Sequence, residues 1–361
     1  MKRFLLLGSL LAAIAVAVAV PLAVTGGRDA SANGGKHRRQ SQRMVRPTMP
    51  RTPSVKSLHG GRKGNVRTFR LTASQFTQKI ANFPIKTVQV WGYNRSTPGP
   101  TLVANRGERI RVVIRNKLPE PTTIHFHGAG APNRDDGVAG ISQPNPIGVG
   151  KRHVYSFIVH RAGTFAYHAH TDSAVQELRG LDGFLIVQPR RVPASQKVDE
   201  DYAMVLQQFA PPAEGALVAP FPPGTGDFPF STINGKTGDA SGGPLTIHKG
   251  DRVRIRLYNA SNLSHSMHLH GMPFEEVSKN GYAIPRESRS KETTVNLAPG
   301  EFIDIEFNAS NPGNWIFHCH VPHHTSNKMM DGYHGAPVGM TRIFHYAGYR
   351  PVPPGYFRYG G

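Results

Sequence analysis

The stretch ERIRVVIRNKL, Glu108 to Leu118, places an apolar residue at every second position, and DRVRIRLYNAS, Asp251 to Ser261, does the same. Alternation of this kind marks a half-buried β-strand, because successive side chains leave a strand on opposite faces. Each stretch follows a glycine that opens a Gly-Glu/Asp-Arg-Ile/Val-Arg run, and each leads within a few residues to a His-x-His-Gly. The period is too long for a solenoid, so one domain-sized unit occurs twice.

Outward from these strands, the first copy occupies residues 68–190 and the second residues 200–346, with a short basic connector between them and a tail over 347–361. With 39 Gly and 30 Pro in 361 residues, both copies read as short strands ended by turns. The expected fold is all-β, a β-sandwich in each half with few helices.

The first residues, MKRFLLLGSLLAAIAVAVAVPLAV, combine a basic start with a long apolar run, and Ala30-Ser31-Ala32 offers small residues at cleavage spacing. Residues 1–32 therefore read as an export signal or an uncleaved N-terminal anchor. Either way the bulk of the chain is expected outside the cytoplasm: extracellular, periplasmic or at the cell surface. The net charge of +20 is uneven: between Asn33 and Arg70 there are eleven Lys or Arg and no acid. Residues 33–67 are expected to be a disordered basic linker, attracted to anionic wall polymer or to a membrane surface at low salt. Nucleic acid is not an expected partner, since export removes it and no recognition module is present.

Four histidine motifs carry the chemistry: HFHG (His125, His127), YHAH (His168, His170), HSMHLHG (His265, His268, His270) and FHCHVPHH (His318, Cys319, His320, His323, His324). Residues two apart on a strand share a face, so each His-x-His is a two-pronged metal grip. Four such pairs exceed what one mononuclear site uses and point to a polynuclear cluster. The one cysteine lies in IFHCHVPHHTSNKM, Ile316 to Met329. In an exported chain an unpaired cysteine points to a reactive or metal-bound thiol. Alternation turns Cys319 away from His318 and His320 and into the core, where His265, His324 and Met329 complete the His, His, Cys, Met set of a blue-copper electron-transfer centre.

With these motifs in this order, residues 68–346 resemble the multicopper oxidases, specifically the two-domain, laccase-like branch. The resemblance implies two cupredoxin-like Greek-key sandwiches and four coppers per chain. It implies that His265, Cys319, His324 and Met329 hold the type 1 copper, with His323 and Met330 the alternatives that the family spacing disfavours. His125 and His268 would hold the type 2 copper, and His127, His168, His170, His270, His318 and His320 the type 3 pair. Asp136 matches an acid that feeds protons to the cluster, with Asp135 its rival. Thr325 stands where some relatives carry a second acid. Electrons from a small reducing substrate, phenolic or similar, would enter at an exposed edge of His324 and reach dioxygen through Cys319. A thioether at Met329 implies a moderate potential. His334 and Met340 are open between a substrate approach and a plain loop, and His153, His160 and His248 are expected to be surface or strand residues. The branch further implies a homotrimer with the cluster between chains. Two other readings use the same ligands: a metallo-oxidase acting on cuprous, ferrous or manganous ions, and a non-catalytic blue-copper electron-transfer protein. Copper nitrite reductase is disfavoured because Ala169 stands where its thiol would be.

Overall fold

A computed structural model describes residues 43–82, 85–220, 228–327 and 338–352 of the protein. The expected leader, the first part of the expected linker and the end of the expected tail lie outside these residues.

Among the described residues strands dominate, and helices are limited to two four-residue turns and short 3-10 segments. In the first half, Val66–Lys79 runs parallel to Arg109–Asn116, which pairs antiparallel with Arg152–Ile158. The second half repeats this arrangement: Glu200–Phe209 is parallel to Arg252–Asn259, which is antiparallel to Phe302–Asn308. The facing sheets repeat it too. Thr101–Asn105 lies parallel to Asp182–Gln188, which is antiparallel to Gly163–His168. Leu245–Ile247 lies parallel to Thr341–Tyr346, which is antiparallel to Asn314–Cys319. The duplicated alternation in the sequence is thus a duplicated sheet register.

Between the sheets of the first half the core contains Phe69, Ile110, Val112, Phe126, Phe157 and Tyr167, and between those of the second Leu257, Met267, Leu269, Ile305, Phe317 and Phe344. Each large apolar side chain buried in this way contributes about 1.5–3 kcal/mol. A third apolar cluster joins the halves, with Ala166, Phe184 and Ile186 against Ala203, Val205, Tyr258 and Phe302. Polar bonds seal the same seam: Gln207 Nε2 donates to Asp182 Oδ2 at 2.6 Å and Thr164 Oγ1 to Asp304 Oδ1 at 2.7 Å.

The expected disordered linker over 33–67 needs correction from Arg43 onward. Gly61–Lys63 forms a hairpin with Val66–Lys79, Ser57–Leu58 pairs with Thr101–Asn105, and Met44–Val45 pairs with Val192–Pro193. Arg51 bonds through its backbone to Asp201 and Ala203, and its guanidinium lies over the Tyr202 ring at 5.0 Å. The low apolar content was a sound reason to expect no independent core. It did not exclude edge pairing, in which the backbone supplies the bonds and the side chains need not be apolar.

Candidate metal centre

Strand register builds three groups of donors. His125 forms a two-residue bridge with His168, and His268 stands opposite His318 on paired strands. Because opposed residues share a face, each His-x-His meets another across the sheet. In the first half, the His125 ring lies 5.7, 5.3 and 5.4 Å from those of His127, His168 and His170. In the second half, the His268 ring lies 4.7, 5.6 and 5.4 Å from those of His270, His318 and His320. Among the described residues no ring contact joins one quartet to the other.

Alternation along Asn314–Cys319 sends Cys319 inward, fully buried, and it arrives beside His265 at the start of His265–Leu269 and His324 on the turn Pro322–Thr325. Its Sγ lies 3.8 Å from His265 Nδ1 and 3.6 Å from His324 Nδ1, and the two nitrogens are 3.1 Å apart. That triangle leaves room for one ion at ordinary ligand distances of about 2.0–2.3 Å. Two imidazoles and a thiolate in a trigonal set suit copper. Donor atoms of His125, His127 and His168, and of His268, His270 and His318, gather as tightly, within 4.8 Å of one another in each group.

The imidazoles are prepared as neutral ligands. Burial lowers His265 to about 3, helped by His324; burial also lowers His168 to about 3 and His318 to about 4, and it lowers His127 and His270. A metal needs such unprotonated nitrogens. Hydrogen bonds then select the tautomer: Nδ1 of His125, His168, His268 and His318 bonds the carbonyls of Asp136, Ala169, Thr293 and Cys319 at 2.8–2.9 Å, which leaves each Nε2 for the cluster. His265 is turned the other way, with Nε2 bonded to Ser261 Oγ at 2.7 Å and Nδ1 towards the sulfur. Burial pushes the Cys319 thiol up, and a bound cation opposes that shift by favouring the thiolate.

Asp136 lies beside the first quartet, its Oδ1 3.3 Å from His125 Nδ1. Gly137 makes this possible: at φ +82°, a Cβ there would lie 1.9 Å from the Ile124 carbonyl oxygen, so only glycine lets the loop close on the histidine strand. The rival Asp135 is occupied structurally, its Oδ1 accepting the Ser156 N–H at 2.8 Å. Thr325 donates its hydroxyl to the Cys319 carbonyl.

One expectation changes and one open reading is decided. His324 is only 2% exposed, so it offers no open edge, because the turn that carries it packs inward while its neighbour His323 faces solvent with its ring 4.5 Å away. Met340 is fully buried and lines no substrate approach; its backbone bonds to His324 and Cys319. His153 is a strand residue, as expected, on Arg152–Ile158, with its ring 4.6 Å from that of Tyr155. Met329, Met330 and His334 lie outside the described residues. Sequence reasoning missed Ser261 and also Glu177, whose Oε2 is 3.3 Å from His168 Nδ1. Both meet their histidines through loop closure, which leaves no mark in local spacing.

Comparison with known proteins agrees with this geometry. Family models described as multicopper oxidase match residues 75–192 and 212–335. Laccase-1 of Cryptococcus neoformans is 29% identical over 296 residues, 74% of this chain and 46% of that protein, so the chain spans about half the length of this relative. Among solved structures, a blue copper oxidase from Nitrosomonas europaea is 28% identical with a TM-score of 0.69, covering 81% of this chain and 93% of its own. The multicopper oxidase mgLAC is 30% identical with a TM-score of 0.70 at the same coverage. Two matched domains, two cupredoxin-like sandwiches and three groups of copper-type donors lead to one conclusion: the chain belongs to the multicopper oxidase family, in its two-domain, laccase-like form.

Proposed function

We propose that the protein is a copper-dependent oxidase that takes single electrons from a small phenolic or similar donor and passes them to dioxygen, with water as product. The observation that carries the proposal is that Cys319, whose sulfur completes the triangle with His265 and His324, is also the residue between His318 and His320 of the second quartet. One peptide unit on either side connects the two donor sets.

When bound, copper supplies the one-electron chemistry and the reduction of dioxygen. We assign the type 1 position to His265, Cys319 and His324 with Met329, the type 2 position to His125 and His268, and the type 3 pair to the other six quartet histidines, about four coppers per chain. The chain's own part is placement and protons. Ser261 holds the His265 tautomer, burial keeps water and protons from the type 1 donors, and the partly exposed Asp136 carboxylate can take up a proton at Oδ1 beside His125.

We propose a homotrimer. Within one chain the His127 ring packs edge-on against Phe302 at 5.2 Å, on the sheet of the second half that does not carry His268 and His318. A cluster using both quartets therefore needs the first half of one copy against the second half of another. Head-to-tail contacts make a ring where the rotation closes and a filament where it does not, and the reading proposed is a ring of three. We also place the protein outside the cytoplasm, as its leader suggests.

The test is to load the purified chain with copper, count the metal, record the visible spectrum and measure oxygen uptake with a phenolic donor. Blue colour, about four coppers and phenol-driven uptake are expected. Uptake with cuprous, ferrous or manganous ions alone would make it a metallo-oxidase, and one copper without uptake an electron-transfer protein. A colourless sample inert to every donor overturns the proposal.

A further inference from the structure

The two copies of the Gly-Glu/Asp-Arg-x-Arg strand end up in opposite electrostatic settings. In the second copy, Arg252, Arg254 and Arg256 project from the outer face of their sheet and meet acids on both neighbouring strands. Arg256 pairs with Asp201 at 2.7 Å and Asp304 at 3.4 Å, and Arg252 and Arg254 pair with Glu306. These arginines are neutralised structural groups.

In the first copy, Arg109 and Arg111 match Arg252 and Arg254, Val113 takes the place of Arg256, and Arg115 follows, with Arg70 opposite Val113 on one neighbouring strand and Arg152 opposite Arg115 on the other. The five strands of this sheet contain no Asp or Glu. Among the described residues none of these five arginines makes an ion pair. The same face runs on into a groove of about 510 Å³ lined by Thr72, Ser74, Gln75, Asn94, Arg95 and Lys117, again without an acid. Sheet stability does not require this arrangement, since the second copy shows the same strand with its charges matched. Unmatched like charges on neighbouring strands cost stability.

We propose that this face is a docking surface for a linear phosphate polymer. A guanidinium fork binds phosphate oxygens in pairs, which makes arginine the fitting residue. Alternate residues on a strand are about 6.6 Å apart, so Arg109, Arg111 and Arg115 span about 20 Å, with Arg70 opposite the gap at Val113, a length suited to an extended chain that carries several charges. A lipid surface fits less well because the outward positions carry no aromatic residue to enter it. A second copy of the chain fits this face less well, because Asp201, Asp304 and Glu306, the acids around its matching strand, are already paired with their own arginines.

The experiment measures binding of long-chain inorganic polyphosphate to the full chain across a salt series. We expect the Arg109→Gln/Arg111→Gln/Arg115→Gln variant to lose about tenfold or more in affinity at low salt and to show a shallower salt dependence. Arg286→Gln/Arg289→Gln/Lys291→Gln, equally reduced in charge elsewhere on the surface, should lose less than about twofold. An unchanged melting temperature reports an intact fold, and if the triple variant does not fold, Arg70→Gln/Arg152→Gln tests the same face from the neighbouring strands. Absence of polyphosphate binding, equal losses in both sets of variants, tighter binding to phosphatidylglycerol vesicles, or equal affinity per phosphate for duplex DNA would each overturn the proposal.

Discussion

The backbones of His125 and His168 bond to each other in both directions, at 2.8 and 3.1 Å, and His268 faces His318 across paired strands in the second half. Both quartets are therefore products of sheet register, ordered before any ion arrives. Little conformational freedom remains to be lost when a metal binds. The fold makes two histidine quartets, one per domain, each half of the proposed cluster.

If the half-sites meet between chains, damage to one can be complemented by a chain damaged in the other. We predict that a His125→Ala/His127→Ala chain and a His268→Ala/His270→Ala chain are each inactive as homotrimers. Co-refolded as an equal mixture, they should regain about a quarter of the wild-type oxygen uptake, the fraction of junctions that join two intact halves. Recovery of none, with mixed trimers verified by mass, would place the cluster within one chain.

Ser261 Oγ also contacts Asn259 Oδ1 at 2.8 Å, so its hydroxyl proton has a place and its lone pair is available to His265. The Ser261→Ala variant should bind copper at the Cys319 triangle about 10–100-fold more weakly and shift its visible band, while the quartet sites load normally. Ser261→Thr should restore affinity. A competitive copper titration checks this, and an alanine variant within twofold of wild type would remove the serine from the site.

His323 and His324 are neighbours with opposite exposures, and only His324 Nδ1 reaches the sulfur. We expect His324→Ala to abolish the blue absorption and His323→Ala to retain it with copper stoichiometry unchanged. The visible spectra of the two loaded variants decide the assignment directly.

Much of this was legible because strands write their faces into the sequence with period two. The alternation in Glu108–Leu118 and Asp251–Ser261 gave both sheets, and the spacing of His318, Cys319 and His320 gave the side each donor takes. What spacing cannot carry is contact made by loop closure and edge pairing. Ser261, Glu177 and Gly137 act through such closure, and Met44, Val45 and Arg51 are held by backbone bonds to strands more than a hundred residues away in the chain, such as that of Arg51 to Asp201. The burial of His324 belongs to the same class, since it depends on how a turn is seated rather than on what it contains. The unequal charge of the two repeats lies between these cases. The arginines are visible in the sequence, but whether acids face them depends on which strands become neighbours.

Glu108 shows how the repeat is anchored. Its carboxylate accepts from Arg67 at 2.5 and 2.8 Å and from the Asn105 N–H at 2.9 Å, and although burial opposes ionisation, these bonds hold it at about 2. An acid whose pKa is depressed on folding adds stability above its unfolded value, near 4.5 here, and loses it as pH falls towards the folded value. Glu108→Gln should therefore lower the unfolding free energy at pH 7 by about 1–2 kcal/mol after allowance for solvent screening. The gap from wild type should narrow between about pH 4.5 and pH 2. Urea unfolding at several pH values measures it. A gap that stayed constant across that window would assign the loss to packing alone, because protonation removes the charge from the wild type without changing its shape.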